Sequence, residues 1–150
     1  MSSSPGGEEE IRRLLAAYQQ YQAQAEGIMR QINLTQLTSE GLDRALLAVD
    51  ALDKAEVGQE ILVPIGSGSF IHGKLASKEK VVLNVGAGVS IEKTAAEAKE
   101  ILSIRKAEVL DGSKKLNDVL AKIDQEMQRI QAVMQQFEES AQGQRREGVV

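Results

Sequence analysis

The sequence EILVPIGSGSFIHGKL at residues 60–75, followed by KVVLNVGAGVSIEKT at residues 80–94, decides the fold. Short runs of β-branched residues alternate in it with the glycine-bearing separators GSG and GAG. This pattern is typical of strands that are joined by tight turns. We therefore predict two β-hairpins within residues 59–91, with strands near 60–64, 69–75, 81–85 and 89–91.

The segment before the hairpins, residues 8–54, contains no proline and carries a heptad pattern. Apolar or small residues recur with alternating spacings of three and four, which keeps one stripe of a helix facing a partner helix. The pattern predicts one long helix. Its seam positions are Ile11, Leu14, Tyr18, Tyr21, Ala25, Ile28, Ile32, Thr35, Ser39, Leu42, Leu46 and Val49.

A second proline-free segment, residues 94–140, follows the hairpins and repeats the pattern. Thr94 with Glu97 three residues later is a possible capping box at its start. The seam is less regular near this start, where the polar Lys106 and Ser113 occupy two of its positions. The apolar or small seam positions are Ala95, Leu102, Val109, Leu116, Leu120, Ile123, Met127, Ile130, Met134 and Phe137.

Two helices of similar length that flank a compact β segment are expected to pair antiparallel. Placing Ile11 opposite Phe137, so that paired residue numbers add to 148, matches the two seams end to end. The hairpins are too small to bury a core and have open strand edges, so we expect them to join other chains in a barrel or continuous sheet. The fold class is thus α+β: a long antiparallel two-helix coiled coil with a central pair of β-hairpins that joins an oligomeric β-barrel.

The chain ends and one interior stretch are expected to be less ordered. Residues 1–7 are predicted to form a flexible leader before a single domain at 8–140, and residues 141–150 a disordered tail. Gly41 and Gly112, with polar seam residues nearby, predict a soft part of the coiled coil around 35–41 and 107–113.

Composition excludes several classes of function. The 150 residues allow one domain, and the net charge of −4 argues against a nucleic acid or membrane partner. Without cysteine and with one histidine, the chain is expected to hold no metal and no cofactor. Neither a signal peptide nor an apolar span of about 20 residues is present, which predicts a cytoplasmic location.

One stretch resembles a nucleotide-binding motif but fails in detail. Residues 68–74 match GxxxxGK, yet Leu75 stands where a serine or threonine hydroxyl must reach magnesium. A phosphate-binding loop also leads from a strand into a helix, whereas this run is itself predicted to be a strand and is followed by another strand. No Ser/His/Asp set or paired carboxylates stand out. We therefore expect no catalytic residues and no enzyme activity.

The free ends of the two helices are rich in apolar, methionine and aromatic side chains. Helix ends lack neighbours, so part of this set is expected to be exposed, and such groups suit an adaptable apolar surface. Packing within the seam is the competing interpretation, most of all for Leu14 and Ile130. Leu15 and Val133 lie beside the seam and are the better candidates for exposed contact.

The chain closely resembles the α-class subunits of archaeal-type prefoldin. The resemblance rests on two helices with heptads that flank the runs VPIGSGSFIHGKL, Val63 to Leu75, and NVGAGVSIEK, Asn84 to Lys93. Two hairpins, where the β class has one, favour the α class. The resemblance covers residues 8–140. It implies an ATP-independent holdase, built as a hexamer of two α and four β subunits, that captures unfolded polypeptides and delivers them to a group II chaperonin.

The resemblance also implies two sets of residues. The hub set, expected in the oligomer interface, is Ile61, Val63, Ile65, Phe70, Ile71, Leu75, Val82, Leu83, Val85 and Val89. The tip set, expected to contact client proteins, is Ile11, Leu14, Leu15, Tyr18, Ile130, Val133, Met134 and Phe137.

Two other functions share this shape. A structural coiled-coil tether would have the same helices and hub without binding unfolded chains in general. A periplasmic holdase would need an export signal.

Overall fold

A computed structural model describes residues 5–148 of the chain. Two long helices flank four short strands, in the order that the sequence predicts. The elements are α1 (Pro5–Leu52), β1 (Glu60–Gly66), β2 (Ser69–Lys74), β3 (Lys80–Gly86), β4 (Val89–Thr94) and α2 (Ala95–Glu147).

Both helices extend further toward the chain ends than the sequence predicts. Helix α1 begins at Pro5 rather than at residue 8, and proline is well tolerated in a first helical turn because its missing N–H needs no partner there. Helix α2 continues through residues 141–147, which the prediction placed in a disordered tail. Arg145 and Arg146 lie in its last turn, where cations interact favourably with the helix dipole. Residues 1–4 and 149–150 of the predicted leader and tail lie outside the described residues.

Each hairpin closes through a two-residue turn. Ser67 and Gly68 have φ of 50° and 71°, and Ala87 and Gly88 have φ of 51° and 74°. Positive φ at both central residues defines a type I′ turn, whose twist matches that of the flanking strands. The preceding residues Gly66 and Gly86 also have positive φ, at a register shift in each hairpin.

The two hairpins repeat one backbone design with a period of 20 residues. Glu60 pairs with Lys74 in the first hairpin, and Lys80 with Thr94 in the second. Every other paired position follows the same shift, including the irregularity before each turn. Differences between the hairpins therefore lie in their side chains and surroundings.

The second hairpin packs against the helices through one face. Leu83 on β3 is buried together with Val49 of α1 and Ala98 and Leu102 of α2. Partly buried side chains of both helices and Val81 surround this cluster. Strand β4 runs directly into α2, and Thr94 Oγ1 accepts a hydrogen bond of 3.2 Å from the backbone N–H of Glu97, so the N-cap half of the predicted capping box is present.

The heptad prediction is confirmed along both helices. The chain divides into two compact units, one of residues 36–111 and one in which 5–35 is grouped with 112–148. In both units, every predicted seam position from Leu14 to Val49 on α1 and from Ala95 to Phe137 on α2 is buried or half-buried. Ile11 is the exception, at 39% exposure.

Polar contacts within each unit fix the helix register. The cross-links are Tyr18 with Gln131 at 2.9 Å, Asp50 with Lys99 at 2.7 Å, and Asp43 with Lys106. The paired numbers add to 149, one residue from the predicted 148. The hydrogen bond from Lys99 to Asp50 raises the pKa of Lys99 above its ordinary value, because the carboxylate stabilises the ammonium form.

The predicted soft segments lead to a test by amide exchange. The boundary between the two units falls at Thr35/Gln36 and Asp111/Gly112, inside both segments. Each helical glycine costs about 1 kcal/mol relative to alanine, so we expect amides in 35–41 and 107–113 to exchange roughly fivefold faster than the flanking turns.

Gly41→Ala and Gly112→Ala provide the matched variants for hydrogen-exchange mass spectrometry. A Cβ at either position meets no atom within 4 Å. Both substitutions should therefore slow exchange locally. Uniform protection along both helices in the parent chain would contradict the prediction.

Candidate functional site

Exposed apolar side chains on the hairpins form the first candidate surface. Within the hub set, eight residues are 38 to 65% exposed and Leu75 is half-buried. Leu62, which the prediction omitted, is also 60% exposed. The hairpins thus present apolar groups that residues 5–148 leave largely uncovered.

Leu83 must be removed from the hub set. It is only 6% exposed because α1 and α2 cover it. A side chain enclosed by its own chain offers no surface to another subunit. The neighbouring Val82 points to the opposite face of the strand and is 65% exposed, so it remains available.

In the first hairpin, the helices do not bury the equivalent face. Ile61, Val63 and Ile71 occupy the positions that Val81, Leu83 and Ile91 occupy 20 residues later, yet they are 38 to 51% exposed. The side chains of Ile61 and Val63 lie above the Gly73 backbone, so close that a Cβ added at Gly73 would be in van der Waals contact with Val63 Cγ2, at 3.5 Å.

Each hairpin is a separate two-stranded sheet. Its outer strand edges have unpaired backbone groups, which favour pairing with further strands. An apolar face combined with open edges is suited to assembly with other chains.

The tip set forms the second candidate surface. Ile11 and Leu15 are 39% and 47% exposed. Leu14, Tyr18, Val133, Met134 and Phe137 are half-buried, with Tyr18 Oη bound to the Gln131 side-chain amide. These residues offer aliphatic, thioether and aromatic groups at the outer ends of the helices.

Ile130 must be removed from the tip set. It is 2% exposed and occupies a seam position on α2. A side chain that fills the interface between two helices cannot also contact a client. The competing packing interpretation is thus the correct one for this residue.

Residues 5–148 were compared with three other kinds of feature: a metal site, a membrane-spanning helix and a nucleotide-binding loop. The described residues contain no group of three or more His, Cys, Asp or Glu side chains able to hold a metal ion. In the same part of the chain, no helix combines the length and the apolar character needed to cross a bilayer. Gly68 of the GxxxxGK run lies in a hairpin turn and Lys74 ends β2, so this run does not lead into a helix.

The fold agrees with comparisons to known proteins. A family model described as prefoldin subunit matches residues 8–139, which include most of both helices and all of both hairpins. The chain belongs to the prefoldin family, a family of chaperone subunits rather than of enzymes.

Individual relatives narrow the assignment to one class of subunit. Prefoldin subunit alpha of Methanothrix thermoacetophila is 55% identical over 118 residues, covering 78% of this chain and 77% of that protein. Prefoldin subunit alpha of Methanococcoides burtonii is 34% identical over 131 residues, covering 87% and 95%. These relatives identify the chain as an α-class subunit of archaeal prefoldin, a chaperone that acts as an assembly of subunits.

A solved structure supports the fold. A chain in a cryo-EM structure of filamentous PFD from Methanocaldococcus jannaschii matches with a TM-score of 0.68 and 26% identity, covering 78% of this chain and 97% of that one. The predicted fold class of two long helices and two hairpins is thereby confirmed.

Proposed function

We propose that this chain assembles with β-class subunits as an α2β4 hexamer and holds unfolded polypeptides in the cytoplasm. The tip set, without Ile130, binds the client. No ATP is used and no reaction is catalysed, and a group II chaperonin receives the client. Assembly occurs through the hub set without Leu83.

The observation that carries the proposal is the exposure at the outer ends of the helices. Ile11 is the exposed seam position of α1, whereas the seam is buried or half-buried from Leu14 onward, and Leu15 beside the seam is exposed at the same end. The half-buried Met134 and Phe137 adjoin this end of the coiled coil in the antiparallel register. A surface of this kind accepts many apolar sequences because methionine and aromatic groups adapt to different partners.

The energy of each contact favours capture followed by release. Burying one exposed apolar side chain contributes about 1.5 to 3 kcal/mol. One subunit therefore binds weakly, while several subunits in one assembly raise the effective concentration and so the avidity. Stepwise loss of weak contacts permits transfer to a second chaperone.

The double variant Ile11→Ser/Leu15→Ser tests the proposal. Both side chains are exposed, so their replacement should leave the helices and the assembly intact. We expect the complex with β-class subunits to require at least tenfold more protein to suppress aggregation of a chemically denatured model protein on dilution without ATP. The readout is light scattering against the ratio of complex to client.

The double variant Leu37→Ser/Ile104→Ser is the matched control. It removes one leucine and one isoleucine that are 62% and 53% exposed but lie away from the helix ends. It should retain full suppression. Equal losses in both variants would place client binding elsewhere, and a stable parent complex without any suppression would favour the structural tether.

A further inference from the structure

A groove on the surface of the coiled coil lies next to the tip set, although no tip-set residue lines it, within the unit that contains residues 5–35 and 112–148. It has a volume of about 550 Å³ and is lined from both helices. This volume falls within the range of about 300 to 1,000 Å³ that is typical of ligand sites in proteins. The groove is therefore large enough to receive bulky apolar side chains.

Small side chains explain why the groove exists. Ala25 occupies a seam position on α1, and Ala121 lies on the adjoining surface of α2. Neither side chain extends beyond Cβ, so the surface is depressed between the longer side chains around them. Met29, Leu120 and Met127 line the groove, and Met29 is 45% exposed. Flexible thioether groups let such walls fit different apolar shapes.

The charged groups of the groove have one sign. Glu26 from α1 and Asp124 from α2 line it, and no lysine or arginine does. Both residues are exposed, and Asp124 accepts a hydrogen bond of 3.1 Å from Gln128. Two carboxylates at one apolar depression favour a ligand that carries positive charge beside its apolar group.

We propose that this groove is a second client site, selective for extended segments in which a bulky apolar residue is flanked by lysine or arginine. The apolar side chain enters between Met29 and Met127, and the flanking cations approach Glu26 and Asp124. The inference rests on the proposed holdase function. It adds a sequence preference that the tip set, which binds through apolar groups, does not provide.

A pair of matched peptides tests the preference on the assembled complex with β-class subunits. Both are fluorescein-labelled glycine-serine chains of about twelve residues with a central leucine-phenylalanine pair, flanked by lysine in one and by glutamate in the other. By fluorescence anisotropy at about 50 mM salt, we expect the lysine peptide to bind three- to tenfold more tightly, because two exposed ion pairs give effects of this size. The difference should shrink at about 500 mM salt.

Variants of this chain assign the preference to the groove. Ala121→Leu fills the depression at an exposed position and should weaken binding of the lysine peptide. Glu26→Lys/Asp124→Lys should reverse the preference between the peptides. The controls are Ala23→Leu and Glu40→Lys, which make the same kinds of change at exposed positions outside the groove and should have no effect.

The outcomes separate this inference from the proposed function. Equal binding of the two peptides, or a preference that survives both groove variants, would overturn the groove site. The variant Ile11→Ser/Leu15→Ser should retain the peptide preference although it loses aggregation suppression. The difference in affinity between the two peptides is measured without an aggregating client. It can therefore be determined even if the tip set does not bind unfolded proteins.

Discussion

Replacing Leu83 by alanine is expected to lower the free energy of unfolding by about 2 to 5 kcal/mol. Leu83 joins the second hairpin to both helices through the cluster with Val49, Ala98 and Leu102. Ala98 is fully buried, so the helices are expected to have little freedom to close the cavity that the smaller side chain leaves. Urea unfolding of the assembled complex, followed by circular dichroism at fixed protein concentration, measures the loss.

Leu47→Ala is the control for this prediction. The substitution is chemically identical and lies in the same unit, but Leu47 is 69% exposed. It should change the free energy of unfolding by no more than about 0.5 kcal/mol. Equal effects of the two substitutions would show that Leu83 is not enclosed by the helices.

The seams of the two helices could be predicted from the sequence residue by residue. A seam that repeats every 3.5 residues specifies which side chains face a partner helix, and even Lys106 and Ser113 are half-buried as the pattern requires. The antiparallel register was predicted within one residue because both seams have similar lengths. Helix ends were predicted less well, since residues 141–147 are polar and carry no seam to mark a boundary.

The role of each hairpin face was harder to predict. Val81, Leu83 and Ile91 are as apolar as Ile61, Val63 and Ile71, so hydrophobic pattern alone does not show which face the helices cover. The connections between the helices and the strands explain which hairpin the helices cover. Strand β4 passes into α2 without a loop, whereas residues 53–59 separate α1 from β1, so the second hairpin is held against the helices.

Ile130 shows a different limit of the sequence. Its heptad position indicates burial, while the family resemblance indicates client contact, and one side chain cannot satisfy both. The structure decides for burial, at 2% exposure. Residues beside the seam, such as Leu15, avoid this conflict and remain the stronger candidates for client contact.

Substituting lysine for Ile71 is expected to prevent stable assembly with β-class subunits. Ile71 lies on β2 opposite Val63, on the apolar face that the first hairpin leaves uncovered. If this face is buried between subunits, the ammonium group must be desolvated without a partner, which costs several kcal/mol. An increase of at least 100-fold in the apparent Kd for assembly corresponds to about 2.7 kcal/mol. Size-exclusion chromatography with light scattering gives the mass of the complex.

Ile104→Lys separates assembly from a general effect of added charge. Ile104 on α2 is 53% exposed and Ile71 is 51% exposed, so the same substitution is made at equal exposure on a helix and on the hairpin. Only the hairpin variant should lose the complex, while both should keep the helical circular dichroism of the parent chain. If Ile71→Lys assembles normally, the face of the first hairpin that carries Val63 and Ile71 lies outside the subunit interface. Assembly must then depend on the open strand edges or on the opposite face of this hairpin, which carries Leu62 and Phe70.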